Sequence, residues 1–532
     1  MSAFDYIVVG SGSAGSVLAA KLSADPRNQV LLVEEGVTHD DWLSRMPKGF
    51  GKQLMDPQRT HFIPTGNTKE GNQPEVWVRG KQFGGSSAVN GMVWTRGQQP
   101  DWDELADLGG SEWSWSEMLR VYKSIENHAD GESETRGVGG PIAIKTNPEP
   151  SGLTKAWVEA GVEMGLPLKS DQNQLEQEGI GLLQWNIDSR GRRVSTGRAF
   201  IAPARSRSNL RIESGVRVDR VVVENGRAVA VEGVREGQTV RFACKGEIVL
   251  SAGAIGSVRI LQLSGIGPGS VLQMAGVPVL LDQPDIGRHM REHVLVMQNW
   301  RMRAREGCEN WSYSGINLFA NVARYALLGS GPMAHGSSDA VAWPRVLPGS
   351  VRPDVQIMFS PYSLDPTRGM AFEDKPGFST YSMVTKPQSE GLVEIASADP
   401  AQPLRIDPNY LAAERDRQVQ LAAIRWIREM MKKPAIAGLI DGETDHTIGI
   451  QSDQDIIDWF HARGQAGYHA VGTVRVGREN APLDSRLRLR GIEGLRVCDC
   501  SVYPEMIAGN TNAPTIALGY RLSELMLEDA RA

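Results

Sequence analysis

Cysteine is scarce. Cys244, Cys308, Cys498 and Cys500 are the only four in 532 residues, too few for a disulfide framework, and Cys498-x-Cys500 has neither metal-site nor thioredoxin spacing. A reducing compartment, the cytoplasm, is the expectation. Runs of Lys and Arg are also missing: 57 basic residues stand against 63 acidic ones, for a net charge of -6, so nucleic acid and anionic lipid are poor partner candidates. No stretch approaches the roughly 20 apolar residues of a membrane span, so no integral membrane segment is expected. Ile7-Val8-Val9 is too short for a signal h-region and follows Asp5 instead of a basic segment. Internal repeats and low-complexity tracts are absent. The chain as a whole, 41% hydrophobic and 23% charged, is ordinary globular composition. The length exceeds what one core usually organises, which favours two domains and a large enzyme over a small binding module.

The first 36 residues carry the pattern of a βαβ unit. Phe4-Asp5-Tyr6-Ile7-Val8-Val9 reads as a buried strand, and Gly10-Ser11-Gly12-Ser13-Ala14-Gly15 turns into a helix with Ala14, Val17, Leu18 and Leu22 at helical spacing. Asp25-Pro26-Arg27-Asn28 closes that helix, and Val30-Leu31-Leu32-Val33 forms a second strand ending at Glu34. Gly10 and Gly12 permit a tight turn close to a pyrophosphate, Gly15 permits helix–strand packing, and the helix N-terminus offers free N–H groups to phosphate. Glu34, about 20 residues downstream of the loop, is placed to hold a ribose hydroxyl. Glu35 beside it is a second acid, but strand alternation lets only one face the cofactor, and the register favours Glu34. The motif itself leaves NAD and FAD open.

Two further short strands end in small or acidic residues. Glu247-Ile248-Val249-Leu250 runs into Ser251-Ala252-Gly253, and Leu495-Arg496-Val497-Cys498 runs into Asp499; carboxyl ends of this kind converge on the ligand crevice of a doubly wound sheet. If they join the first strands, the cofactor domain draws on both ends of the sequence. Arg405-Ile406-Asp407-Pro408-Asn409-Tyr410 and the Gln418–Met431 stretch, with Leu421, Ile424, Ile427 and Met431 suggesting an amphipathic helix, point to an α+β second domain.

Gly80-Lys81-Gln82-Phe83-Gly84-Gly85-Ser86-Ser87-Ala88-Val89-Asn90 closely resembles the first signature of the glucose-methanol-choline oxidoreductases. Gly253-Ala254-Ile255-Gly256-Ser257, continuing to Pro268, is similar to the second signature. Tyr468-His469-Ala470-Val471-Gly472-Thr473, Arg496 to Ser501, and Asn510-Thr511-Asn512-Ala513-Pro514-Thr515 resemble the C-terminal segments. Five blocks in the family's order span essentially the whole chain.

The resemblance implies FAD as cofactor, in an α/β, Rossmann-like domain assembled from residues 1–150, 201–290 and 466–532. A discontinuous α+β substrate domain on an antiparallel sheet would take residues 151–200 and 291–465. It implies FAD contacts from Gly10, Gly12, Ser13, Ala14, Gly15, Glu34 and Glu35, and from Gly84, Gly85, Ser86, Asn90, Gly91, Met92 and Val93. Further contacts are implied at Val218 on the adenine side, Ala252 and Gly253, Asp499 and Cys500, and Asn510, Asn512, Ala513 and Thr515. Val258 and Cys500 replace a usual proline and alanine without removing a required group. Val89 stands where some relatives carry a histidine joined to FAD, so non-covalent binding is expected.

Oxidising an alcohol requires a base to take the hydroxyl proton as hydride leaves, and histidine suits that task near neutral pH. Of the nine histidines, His469 matches the family's catalytic position, and His461 looks structural, in an amphipathic helix. Asn512 matches the second active-site position and is expected to orient the substrate oxygen, since an amide does not take the proton itself. The implied reaction is hydride transfer from a carbinol carbon to flavin N5. The expected substrate is a primary alcohol, aromatic or medium aliphatic, and the expected electron acceptor is oxygen or a quinone-type molecule. Met358-Phe359-Ser360-Pro361-Tyr362 and Met92-Val93-Trp94 are pocket candidates, although such residues are more often core. A non-redox family role such as hydroxynitrile lyase, and a non-enzymatic flavin-binding role, are the rival readings. Oligomeric state is not legible in the sequence.

Overall fold

The computed structural model describes residues 3–66 and 75–531. The chain opens with β1 (Phe4–Val9), α1 (Gly15–Leu22) and β2 (Val30–Glu34). Every residue of β2, and Ile7 to Val9 of β1, is buried, as continuous apolar runs require of strands covered on both faces. The chain then lends β3 (Gly179–Leu182) to a second sheet and returns as β4 (Leu210–Ser214). A ribbon follows: β5 (Arg217–Glu224), β6 (Arg227–Arg235) and β7 (Gln238–Leu250), with α2 (Gly253–Leu263) after it.

The 13 residues of β7 serve two purposes. Its first half pairs antiparallel with β6, and its last residues lie parallel to β1, with Val8 opposite Val249. After β8 (Val294–Met302), β9 (Ala340–Trp343), β10 (Val355–Ser360), β11 (Gly377–Val384), α3 (Glu414–Met430) and β12 (Ile440–Glu443), the chain comes back as β13 (Leu495–Val497) and ends in α4 (Asn512–Asp529). β13 pairs parallel with β7, so the parallel order is β4-β2-β1-β7-β13. The sheet therefore unites segments more than 480 residues apart, β1 at Phe4 and β13 at Leu495.

The second sheet runs β12-β8-β11-β10-β9-β3, antiparallel throughout that order. One face is covered by α3, whose Val419, Ala423, Ile427 and Met430 are fully buried with Trp300, Ile357, Phe359 and Phe378. This helix starts at Glu414, four residues before its apolar periodicity is visible. The polar first turn is held by Asp416, a buried carboxylate that accepts from the Gln388 and Ser389 amides. Leu295, Met383 and Gln356 stand in register across β8, β11 and β10 on the opposite face, and Met297, Tyr381 and Met358 form the next row on it. That face turns toward the cofactor sheet.

Candidate active site

The glycine loop after β1 is shaped by contacts no side chain would permit. A Cβ on Gly15 would sit 1.9 Å from the Gly10 carbonyl oxygen, and one on Gly85 would sit 2.8 Å from the Gly12 Cα. The two glycine-rich segments thus pack backbone to backbone, and the Gly84 amide donates to the Ser11 carbonyl at 2.9 Å. Beside Gly12 and Gly253 the space is open: a Cβ on Gly12 would meet only the Ser251 carbonyl at 3.9 Å, and one on Gly253 nothing within 4 Å. Ser86 is exposed at the rim, and its Oγ accepts from the Gly80 amide.

Glu34 is turned onto this loop. Its Oε2 accepts from the Ser11 amide and hydroxyl, both at 2.8 Å, and its Oε1 from the Gly36 amide. Burial pushes its carboxyl above the ordinary value against those hydrogen bonds. Glu35, one residue on, points elsewhere and lies 3.4 Å from His61 Nε2. Asp499, at the carboxyl end of β13, accepts from the Gly253 amide at 2.9 Å and the Ser257 hydroxyl at 2.6 Å, so it fixes the start of α2. Cys500 is half-buried next to it, and burial raises its thiol to about 12. Val218 sits on the ribbon, where its carbonyl accepts from Arg259.

Two helix N-termini meet over the loop. Ser13, just before α1, donates to Asn512 Oδ1 at 2.8 Å, and Gly519 of α4 packs on Ala14. Asn512 Nδ2 is buried with no partner among the described residues. Ala513 and Thr515 lie buried in the first turn, where the Thr515 hydroxyl donates to the Thr511 carbonyl. Converging N-termini with a free amide donor suit an anionic pyrophosphate. Beneath the Gly84–Asn90 segment lies Arg193, a residue the sequence reading did not single out. Its Nη1 donates to Asn90 Oδ1 at 2.9 Å, while Nε and Nη2 are buried without protein partners. Among the described residues no carboxylate pairs with it, and burial lowers its pKa to about 9. Gly91 abuts Ser337, while Met92 and Val93 join Trp185 and Met358 in one apolar cluster. Alternation along β10 sends Phe359 to the opposite core, so the segment around Met358 divides between pocket face and core.

His469 is placed by a mismatch between two paired segments. Gln465 and Ala466 pair with Leu295 and Val294, and Val471 bridges to Arg291. Two residues, Glu292 and His293, therefore oppose the four from Gly467 to Ala470, and the surplus bulges outward. Tyr468 absorbs the turn at φ 62°, in the left-handed region. The Glu292 carboxylate, pushed up to about 7 by burial, accepts from the His469 amide and fixes the bulge.

The polar contacts of His469 form a chain with one direction. His293 Nε2 lies 3.1 Å from the Thr385 carbonyl, which only accepts, so that nitrogen carries the proton. Neutral His293 then presents a bare Nδ1, 2.9 Å from His469 Nδ1, which must donate. His469 Nε2 is left with its lone pair free, 3.1 Å from Asn510 Nδ2. Asn510 Oδ1 in turn accepts from Gln356 Nε2 at 3.2 Å. Burial holds both imidazoles neutral, with His293 lowered to about 4 and His469 well below its ordinary value.

This geometry corrects one assignment. Asn512 does not reach His469: it opens α4 and is engaged by Ser13, whereas Asn510, two residues earlier, carries the amide that meets the imidazole. The helix begins between them, which separates the two asparagines in space. His293 and Gln356, both missed by the sequence reading, complete the arrangement, which combines a neutral imidazole with a bare nitrogen, an amide donor beside it and an uncharged sheet face opposite.

Known proteins resemble this chain along its whole length. The GMC oxidoreductase model matches residues 4–295 in its N-terminal part and 387–519 in its C-terminal part. The oxygen-dependent choline dehydrogenase of Vibrio vulnificus (strain YJ016) is 35% identical over 537 residues, covering 98% of this chain and 94% of that protein. The alcohol dehydrogenase (acceptor) of Pseudomonas putida is 31% identical, covering 98% and 96%. Among solved structures, pyridoxine 4-oxidase from Mesorbium loti superposes with a TM-score of 0.89 at 30% identity over 99% of both chains. A fungal aryl-alcohol oxidase, 21% identical with a TM-score of 0.85 over the whole of both chains, has the same fold. With both family segments matched and relatives aligned nearly end to end, the chain belongs to the GMC oxidoreductase family and is an oxidoreductase.

Proposed function

We propose that this enzyme oxidises the CH–OH group of a neutral alcohol to the carbonyl, with FAD bound non-covalently and His469 as the base. The observation that carries the reading is the one-way hydrogen-bond chain that leaves His469 Nε2 unprotonated beside the Asn510 amide. The residues fit FAD: the glycine loops, Glu34 and the unpartnered Asn512 amide would hold its adenosine diphosphate part, and the Gly84–Val93 segment, Gly253, Asp499 and Cys500 its flavin part. Val89 is buried and offers no nucleophile for a covalent link. FAD supplies a hydride acceptor when bound.

The chain's own residues do the rest. The substrate hydroxyl donates to His469 Nε2 and accepts from Asn510 Nδ2, which fixes the oxygen before its proton moves. As the carbinol carbon gives up hydride, His469 takes the proton, and its Nδ1–H remains donated to His293. The product is an aldehyde or ketone. Leu295, Met297, Met358, Tyr381 and Met383, on the sheet face that also bears Gln356, are uncharged. They suit an aromatic or medium aliphatic primary alcohol better than the quaternary ammonium of choline. Four free cysteines fit a cytoplasmic setting, and among the described residues no helix is long and apolar enough to cross a membrane.

Anaerobic addition of alcohols to the purified yellow protein tests this. Benzyl alcohol or hexanol is expected to bleach the flavin band, and choline to do so more slowly by at least about tenfold, the discrimination worth ~1.4 kcal/mol. Bleaching by choline alone would reverse the substrate reading. Admission of air then separates acceptors: prompt return of colour with peroxide means oxygen, and slow return means a quinone-type acceptor.

A further inference from the structure

We propose that Gln356 is a positioning residue for the reaction: it holds the Asn510 amide in the one orientation that turns an N–H donor, and not a carbonyl oxygen, toward His469 and the substrate oxygen. This rests on the reading of His469 as base.

An asparagine amide can lie either way round, and the two orientations have opposite consequences here. With Nδ2 toward His469, the imidazole nitrogen keeps its lone pair. With Oδ1 toward it, His469 Nε2 would have to carry a proton to avoid two acceptors meeting, and the base would be blocked. Gln356 Nε2 donates to Asn510 Oδ1 at 3.2 Å and so satisfies that oxygen in the first orientation. The opposite end of the chain enforces the same sense. A reversed chain would require His293 Nδ1 to donate, which leaves its Nε2 bare against the Thr385 carbonyl, 3.1 Å away, a contact between two acceptors.

Both ends of the chain are anchored in neighbouring strands of the second sheet. Gln356 lies in β10 opposite Met383 of β11, and Thr385 follows β11 by one residue. Gln356 is fully buried, and its Oε1 has no protein partner. Among the described residues the Asn510 contact is its one hydrogen bond to another side chain, so no wider network there explains its polar head. It shares a sheet face with Leu295, Met358 and Met383, where a residue serving only to fill space would be apolar. Asn510 itself follows Gly509 at φ 114°, whose Cβ would collide with Thr95 and Trp343. That close backbone approach places the amide but leaves its flip undecided. Gln356 and the Thr385 end of the hydrogen-bond chain fix the flip together.

The decisive variant is Gln356→Glu, which keeps the shape and exchanges the donor for a titratable group. When ionised, the carboxylate only accepts, so the Asn510 amide turns round and His469 is blocked. When protonated, it donates as Gln356 does. Flavin reduction by a saturating alcohol, measured anaerobically in holoenzyme of normal flavin content, is expected to fall at least about tenfold from pH 5 to pH 8 in Q356E. The wild-type rate is expected to stay level or rise over that range. Gln356→Leu should slow reduction by about tenfold on its own, and by less than about twofold when added to N510A, because both remove the same oriented donor. A space-filling role would give Q356E a rate independent of pH, or losses in Q356L and N510A that multiply. Either result overturns the proposal. H469A is measured alongside: impaired H469A with a flat Q356E profile rejects the role of Gln356 alone, while wild-type reduction by H469A removes the base reading and this inference with it.

Discussion

If His469 is the base proposed above, the proton affinity of this one side chain sets the pH range over which the site works. Taking His469 and His293 out of water disfavours their charged forms, and His293 also disfavours a charge on His469. A lowered pKa on a cationic acid means that the neutral base persists to lower pH. The limiting rate of flavin reduction is therefore expected to stay level from pH 8 down through 6.5, the ordinary histidine value, and to fall only in more acid solution. Stopped-flow reduction across that range checks it; an inflection at or above 6.5 would mean that His469 is solvated as an ordinary histidine. His469 was singled out because it sits in a recognisable block. Asn510 was read only as a cofactor contact because Asn510-Thr511-Asn512 offers two candidates, and the start of α4 between them decides which one faces the imidazole. His293 and Gln356 were not legible: each acts through a partner more than 150 residues away, and no local pattern marks such a contact.

Elements place these residues through close backbone packing. The loop from Gly10 to Gly15 joins β1 to α1 only if position 15 lacks a side chain, since a Cβ there would lie 1.9 Å from the Gly10 carbonyl oxygen. Backbone must move to accommodate it. Gly15→Ala is expected to lower stability by several kcal/mol, beyond the 1–3 kcal/mol of ordinary overpacking, and to purify with little or no flavin. Visible absorbance and thermal unfolding check this; a yellow G15A with unchanged stability would show that the loop relaxes at no cost. The βαβ unit was readable because apolar runs, glycine spacing and the terminal acid agree within 36 residues. The His469 bulge was not, because a four-against-two mismatch depends on the register of Val294–Leu295 with Gln465–Ala466, which sequence periodicity does not fix.

At the scale of the whole molecule, the cofactor sheet is complete only when the chain's last segment arrives. β13 closes the sheet beside β7, α4 covers α1, and Arg496 ties Glu247 to Asp529 through three hydrogen bonds. A fragment ending at residue 290 would leave the Ala14 face of α1 and the edge of β7 uncovered. It is expected to be insoluble or unfolded and to bind no FAD, as judged by circular dichroism and flavin retention; a folded, yellow fragment would contradict this dependence. The same long-range closure brings His469 and Asn510, both in the final segment, onto a sheet built from residues 168 to 466.

The central claim is that His469 removes the hydroxyl proton, and H469A tests it most directly. The variant is expected to keep its flavin and fold, while anaerobic bleaching by the best alcohol slows by about 10²–10⁴-fold, the usual contribution of a positioned base. Bleaching at the wild-type rate by a correctly folded, fully flavinated H469A would contradict the account.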